Sequence, residues 1–237
     1  MSDMSHETTT VVSREVIGRR RRRLKLTLAD GTLLELAPSV LEQHPLREGD
    51  PVDAALRARL IDTDLRIRCR DAALSLLGVR ARSRRELADR LRRKEFPASI
   101  THAVLDTLES EGWLDDLSFA RGLVHDRLRF KPRAPVRLQQ ELQRKGVSRE
   151  IAHRAVDDVF EAEAITPAIL AREAAVGWIR RQGRATLELL AANPWSEERE
   201  KVKRRLIAYL ARRGFRGSLA VDAIDAARQA ARDFLSG

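Results

Sequence analysis

The pattern of apolar and polar positions changes character along the 237-residue chain. Leu24-Lys25-Leu26-Thr27-Leu28 and Leu34-Glu35-Leu36 alternate with the period of a half-buried strand. Between them, Ala29-Asp30-Gly31 supplies residues that accept positive φ, so the stretch predicts a β-hairpin. The first ten residues are polar and read as a disordered tail. Residues 38–53 hold Pro38, Pro45, Gly49, Asp50 and Pro51 and read as loops or short turns. From Ala54 onward the period is helical.

Within the helical part an internal repeat stands out. Leu87, Leu91, Phe96, Ile100 and Leu105 recur 51 positions later as Leu138, Leu142, Val147, Ile151 and Val156. Displaced by 119 from the first set, they recur again as Leu206, Leu210, Phe215, Leu219 and Ile224. Each block reads as helix, tight turn, helix, with turns at Lys94-Glu95-Phe96, Lys145-Gly146-Val147 and Arg213-Gly214-Phe215. Glycine at two of the three fits a helix ending in the left-handed conformation. Glu95 departs from that rule, so the first turn is either strained or closed differently. Ser83, three before Glu86, has the spacing of a capping box. A further helix precedes each pair, at Arg70 to Leu77, Asp116 to Phe130 and Pro167 to Arg181.

The expected fold is therefore mainly α: tandem three-helix-bundle repeats in an elongated array, preceded by a small N-terminal β-hairpin segment. The divisions are 1–10 (tail), 11–68 (hairpin and the start of the helical part), 69–112, 113–160 and 161–237. The last repeat is divergent, carrying 17 extra residues between its first two helices around Asn193-Pro194.

Charge changes this picture. The net charge is +10 and the pI about 10.7, which suits an anionic partner or simply a solvated Arg-rich surface. The positive charge is not evenly spread. The middle helices of the three repeats carry +4 (residues 84–94), +2 (136–145) and +6 (199–213). The last helices carry −2 (99–110), −1 (148–160) and −1 (217–228). A helix-turn-helix DNA reader places its last helix in the major groove, between phosphates, where Asp106, Glu109, Asp157 and Asp158 would be repelled. Sequence-specific reading is disfavoured, and sequence-blind contact through the middle helices is favoured.

The candidate contact residues are Arg84, Arg85, Arg92, Arg93, Lys94, Arg133, Arg137, Arg144, Lys145, Lys203, Arg204, Arg205, Arg212 and Arg213. Those near helix C-termini also complement the macrodipole, worth about 0.3–1 kcal/mol per helix end. The run Arg19 to Arg23 fits either a charged sheet edge or a binding arm.

Catalytic machinery is not legible: there is no phosphate-binding glycine loop, His-Glu-x-x-His site or nucleophile elbow. No catalytic residue, metal or cofactor is expected. The lone Cys69 excludes an intramolecular disulfide and reads as a buried small hydrophobe. His102 and His153, related by the repeat, read as surface residues. Asp115 is placed to cap a helix, and Asp116 to occupy its first turn. No run is long and apolar enough for a membrane span, and no signal peptide is apparent, so a cytoplasmic monomer is expected.

Three stretches carry a resemblance. They are Arg82-Ser83-Arg84-Arg85-Glu86-Leu87 with Leu91 and Lys94; Gly112-Trp113-Leu114-Asp115-Asp116 with Phe119-Ala120; and Arg137-Leu138 with Glu141-Leu142 and Lys145-Gly146-Val147. In this order and spacing the chain resembles the RecX regulatory family from about Leu24 to Phe160. The hairpin and the Leu46-Arg47-Glu48-Gly49-Asp50 loop also look like that family's N-terminal part. Ala134 stands where members usually have glycine, and the chain after about Ile165 matches loosely.

The resemblance implies a non-enzymatic regulator lying in the groove of the RecA–DNA filament. It would limit filament extension, ATP hydrolysis and strand exchange, in homologous recombination, DNA repair and the SOS response. Single-stranded or duplex DNA would be touched through phosphates. A general nucleic-acid-binding helical protein without RecA as partner is the alternative reading.

Overall fold

The computed structural model describes residues 8–18, 23–192 and 195–236. Arg19 to Arg22 and Asn193-Pro194 lie outside them. The described residues form two compact units: one comprises residues up to Ala81 together with Leu87–Leu114, the other Arg82–Glu86 together with Asp115 onward.

The first unit opens with a four-stranded antiparallel sheet of order β3-β2-β1-β4, built from β1 (Thr9–Ile17), β2 (Arg23–Leu28), β3 (Leu33–Leu36) and β4 (Pro51–Val52). The expected hairpin is β2–β3, with Leu26 opposite Leu34 and Leu24 opposite Leu36. That register points the leucines to one face, where they are buried with Val11, Val40, Leu46, Val52 and Leu60. Strand β1 corrects the expectation of a tail over residues 1–10, since it begins at Thr9, and residues 1–7 lie outside the described residues. Only Val11 on it is buried and a bulge interrupts the pairing between Val11 and Ser13, so no alternation announces it. The loop region 38–53 likewise contains a short helix, α1 (Pro38–Gln43), as well as β4.

Helix α2 (Ala54–Val79) starts where the Asp53 side chain accepts the Leu56 N–H at 2.6 Å. Its 26 residues correct the shorter expected helix at Arg70 to Leu77. The longer helix serves two cores, Leu60 lying in the sheet core and Cys69 and Ala73 in the next. Buried Asp64 on α2 receives Arg23 Nη1 at 2.8 Å and the Ala37 N–H at 2.7 Å, fastening the sheet to the helix. Arg23 thus belongs to an inner strand with a carboxylate partner, not to a sheet edge.

Helices α3 (Arg84–Arg92) and α4 (Ala98–Ser110) complete the first repeat, whose core gathers Leu87, Leu91, Ile100, Val104, Leu105, Leu108 and Leu114 around Cys69. Burial raises the Cys69 thiol pKa, keeping it protonated.

The second unit contains α5 (Asp116–Phe130), α6 (Pro135–Arg144) and α7 (Arg149–Ala162), packed around Ala120, Val124, Leu138, Leu142, Val147 and Val156. It continues with α8 (Pro167–Ile179), α9 (Arg184–Ala191), α10 (Glu197–Arg212) and α11 (Ser218–Ser236). Leu128 and Phe160 touch both of its cores. The last repeat has four helices rather than three: the extra residues fold as α9, held by buried Leu190. Of the fifteen recurrent apolar positions, twelve are buried and Phe96, Ile151 and Leu219 are partly buried. Helices as short as α3 and α6 are marginal alone, so this burial, about 1.5–3 kcal/mol per large side chain, is what holds them.

Candidate nucleic-acid interface

The three turns between middle and last helices close alike. Phe96 N–H donates to Leu91 O, Val147 N–H to Leu142 O and Phe215 N–H to Leu210 O, at 3.3, 3.1 and 3.0 Å. Glu95, Gly146 and Gly214 N–H groups donate three residues back, completing a Schellman closure each time. Their φ values are 66°, 90° and 89°, so Glu95 adopts the same left-handed conformation as the glycines.

What separates the turns is their surroundings. A Cβ on Gly146 would lie 2.4 Å from Arg85 Cβ, and one on Gly214 would lie 3.1 Å from Ala134 Cβ and 3.2 Å from Arg137 Cβ. Both glycines are therefore pressed by the start of a preceding middle helix. Ser83 Oγ donates to the Lys145 carbonyl just before Gly146, and Ala134 N–H donates to the Arg213 carbonyl just before Gly214, at 2.9 Å. Ser83 and Ala134 are repeat equivalents, as are Lys145 and Arg213. One joint is used twice within the second unit.

The resemblance motifs acquire structural roles here. Ser83 Oγ accepts the Glu86 N–H at 3.1 Å, and buried Arg82 pairs with Glu86 one turn on. Asp115 caps α5, accepting from the Leu117 and Ser118 N–H groups at 2.8 and 3.2 Å. Hydrogen bonds from Ser118, side chain and backbone, hold its carboxyl below the usual range. Asp116 instead accepts the Arg84 N–H at 2.7 Å, capping the start of α3. Glu141 takes both Arg127 and Arg133; burial alone would raise its pKa, but those partners lower it on balance. Asp158 on α7 accepts from Arg121 Nε at 3.0 Å, and Asp157 pairs with exposed His153.

The candidate basic residues fall into distinct settings. Arg85, Arg92, Arg93, Lys94, Arg144, Arg204, Arg205 and Arg212 are exposed. Arg92 pairs with Asp89 at 2.9 Å and Lys203 with Glu200 at 3.6 Å. Arg84, Lys145, Arg133 and Arg137 are half-buried at the joints, where Arg137 Nη1 reaches Gln140 at 3.0 Å. Arg204 Nε donates to the Glu200 carbonyl at 3.3 Å.

At the Gly214 joint the structure adds residues that sequence reasoning missed. The Arg213 guanidinium lies 3.7 Å from the centroid of the Tyr209 ring. Arg181, just beyond α8, donates to the Tyr209 hydroxyl at 2.8 Å. Arg205 stands 5.9 Å above Trp178, whose ring centroid is 6.4 Å from that of Tyr209. Tyr209 is the chain's single tyrosine, the one hint the sequence offered.

No group of His, Cys, Asp and Glu among the described residues has the makings of a metal site, and no described helix is long and apolar enough to cross a membrane.

The geometry defines a protein of tandem three-helix modules joined by reused turns, with cationic side chains around those joints. Two family models match in sequence: the first three-helix domain of RecX over residues 69–108 and the second over residues 115–156. The regulatory protein RecX of Halorhodospira halophila is 37% identical over 147 residues, covering 62% of this chain and 80% of that one. That of Corynebacterium efficiens is 32% identical over 190 residues, covering 80% and 85%. A crystal structure of a regulatory protein RecX superposes with a TM-score of 0.64 at 23% identity, covering 92% of this chain and 99% of that one, which shows the shared fold. This chain belongs to the RecX family.

Proposed function

We propose that the protein is a non-catalytic regulator that binds the RecA–DNA filament groove through the basic faces of its middle helices. There it mainly inhibits filament extension, ATP hydrolysis and strand exchange, acting in the cytoplasm as a monomer. Family membership supports the regulatory role. The observation that carries the mode of contact is the placement of Arg85, Lys145, Arg137 and Arg213 at the joints between successive helices, with Arg144, Arg204, Arg205 and Arg212 exposed nearby in sequence. Such side chains meet phosphates or acidic protein surface without reading sequence. Helix α7 carries Glu150, Asp157, Asp158 and Glu161 against Arg149 and Arg154, an acidic excess that leaves it poorly suited to a DNA groove.

The test is RecA-dependent ATP hydrolysis on single-stranded DNA, with and without the chain. A concentration-dependent fall is expected; an unchanged rate overturns the reading. Charge reversal at Arg84, Arg85, Arg204 and Arg205 is expected to weaken inhibition in a folded protein. Binding to bare single-stranded DNA as tight as to the filament would favour a general nucleic-acid-binding protein instead.

A further inference from the structure

The Gly214 joint holds more positive charge than its structural work requires. Arg213 is fixed twice, its carbonyl accepting from Ala134 N–H at 2.9 Å and its guanidinium lying on the Tyr209 ring at 3.7 Å. Arg181 is fixed by the Tyr209 hydroxyl at 2.8 Å. Among the described residues neither guanidinium has a carboxylate partner. The nearby Glu141 is occupied by Arg127 and Arg133.

Burial, and after it the like charges of Arg181, Arg133 and Arg212, hold the Arg213 pKa below its usual range, against the opposing influence of Tyr209. A guanidinium lying on a ring face satisfies its apolar surface there and keeps its N–H fork for an anion in the plane of the group. Like charges gathered without counter-charge repel one another, and a bound anion would relieve that repulsion.

We propose that Arg181 and Arg213, oriented by Tyr209 and flanked by Arg212, form a phosphate-binding site for the backbone of a nucleic-acid strand. The site deepens the proposed function, resting on its reading of the joints as nucleic-acid contacts, and gives the divergent last repeat a defined share in it. Two guanidiniums held by one tyrosine, Arg181 at its hydroxyl and Arg213 on its ring face, suit a phosphodiester, which offers unesterified oxygens to both, and the exposed Arg212 side chain would meet the next phosphate along the strand.

The test is anisotropy titration of a labelled single-stranded oligonucleotide with the full chain, without RecA, across a series of salt concentrations. Each lost phosphate contact lowers the slope of log affinity against log salt by about 0.7 on single strands. Arg181→Gln with Arg213→Gln removes one such contact and is expected to weaken binding about tenfold or more and to lower the slope by about 0.7. The control, Arg172→Gln with Arg232→Gln, removes the same charge from exposed positions of the same unit and is expected to change affinity less than about twofold.

Equal losses from the two pairs would overturn the site in favour of general attraction. If the first pair does not fold, Tyr209→Phe, which removes only the anchoring hydroxyl, is expected to cost about two- to fivefold in affinity; no change would overturn the proposal. Stabilisation of the chain by inorganic phosphate without any oligonucleotide binding would also overturn it, by identifying a small-anion site. Because RecA is absent, these results stand apart from the ATPase assay, and inhibition that survives loss of the site would leave the regulatory reading intact.

Discussion

The turn at Glu95 and the turns at Gly146 and Gly214 close with the same hydrogen bonds and the same left-handed residue, yet only the latter two are glycine. At Glu95 the side chain is exposed, so its cost is the local one of a non-glycine residue at positive φ, of order 1–2 kcal/mol. At Gly146 and Gly214 a neighbouring helix start occupies the place a Cβ would take. Glycine there answers to two demands, backbone conformation and close approach, and the second comes only where a joint forms. A repeat position can thus keep its geometry and change its residue according to what docks on it.

Gly146→Ala should have the largest effect on stability. The added Cβ meets Arg85 Cβ at 2.4 Å, so the start of α3 must move as well as the turn. We expect a loss of about 3 kcal/mol or more in chemical denaturation, and a loss below about 1 kcal/mol would show the approach to be soft. Gly214→Ala meets contacts of 3.1 and 3.2 Å and should cost less, about 2 kcal/mol by the same measurement.

Ser83→Ala removes the cap on Glu86 N–H and the link to the Lys145 carbonyl together, with an expected cost of about 1–2 kcal/mol. The double variant with Gly146→Ala should cost less than the sum, because both changes act on one joint; additivity would argue that they are independent. Glu95→Gly should raise stability by up to about 1 kcal/mol, the opposite sign from the other turns; a loss in thermal unfolding would mean that Glu95 has another role.

The smallest effect is expected from Asp115→Asn, since asparagine also caps helices. The Asp115 carboxyl is held below its ordinary value of 3.8. Its ionised form therefore stabilises the fold above that value, and the contribution fades as pH falls through the lowered folded one. The variant should be slightly less stable at neutral pH and should converge on the parent as pH falls through that lowered folded value, read from acid denaturation curves.

Much of the helical part was legible in advance because its signals are local. The period of Leu87, Leu91 and Ile100 and their counterparts reports which face each helix buries, and glycine at 146 and 214 reports where helices end. Strand β1 was not legible: it is paired through its backbone while only Val11 enters the core, so its side chains carry no period. The extra helix α9 read as an insertion because one buried residue, Leu190, leaves too thin a pattern. For the candidate interface, the charge imbalance between middle and last helices was visible as a count. The gathering of Arg181, Tyr209 and Arg213 was not, since residue 181 lies just past one helix and residues 209 and 213 lie in the last turn and at the cap of another.

By itself the sequence determined the class of fold, the threefold recurrence, the turn positions and the sign of charge on each helix, because these depend on neighbours within a few turns of the same helix. Tertiary structure alone decided which residues press on Gly146 and Gly214, which acid caps which helix, and which arginines share a site. Those contacts join residues tens of positions apart, and their distances follow from how whole helices pack, which no local pattern encodes.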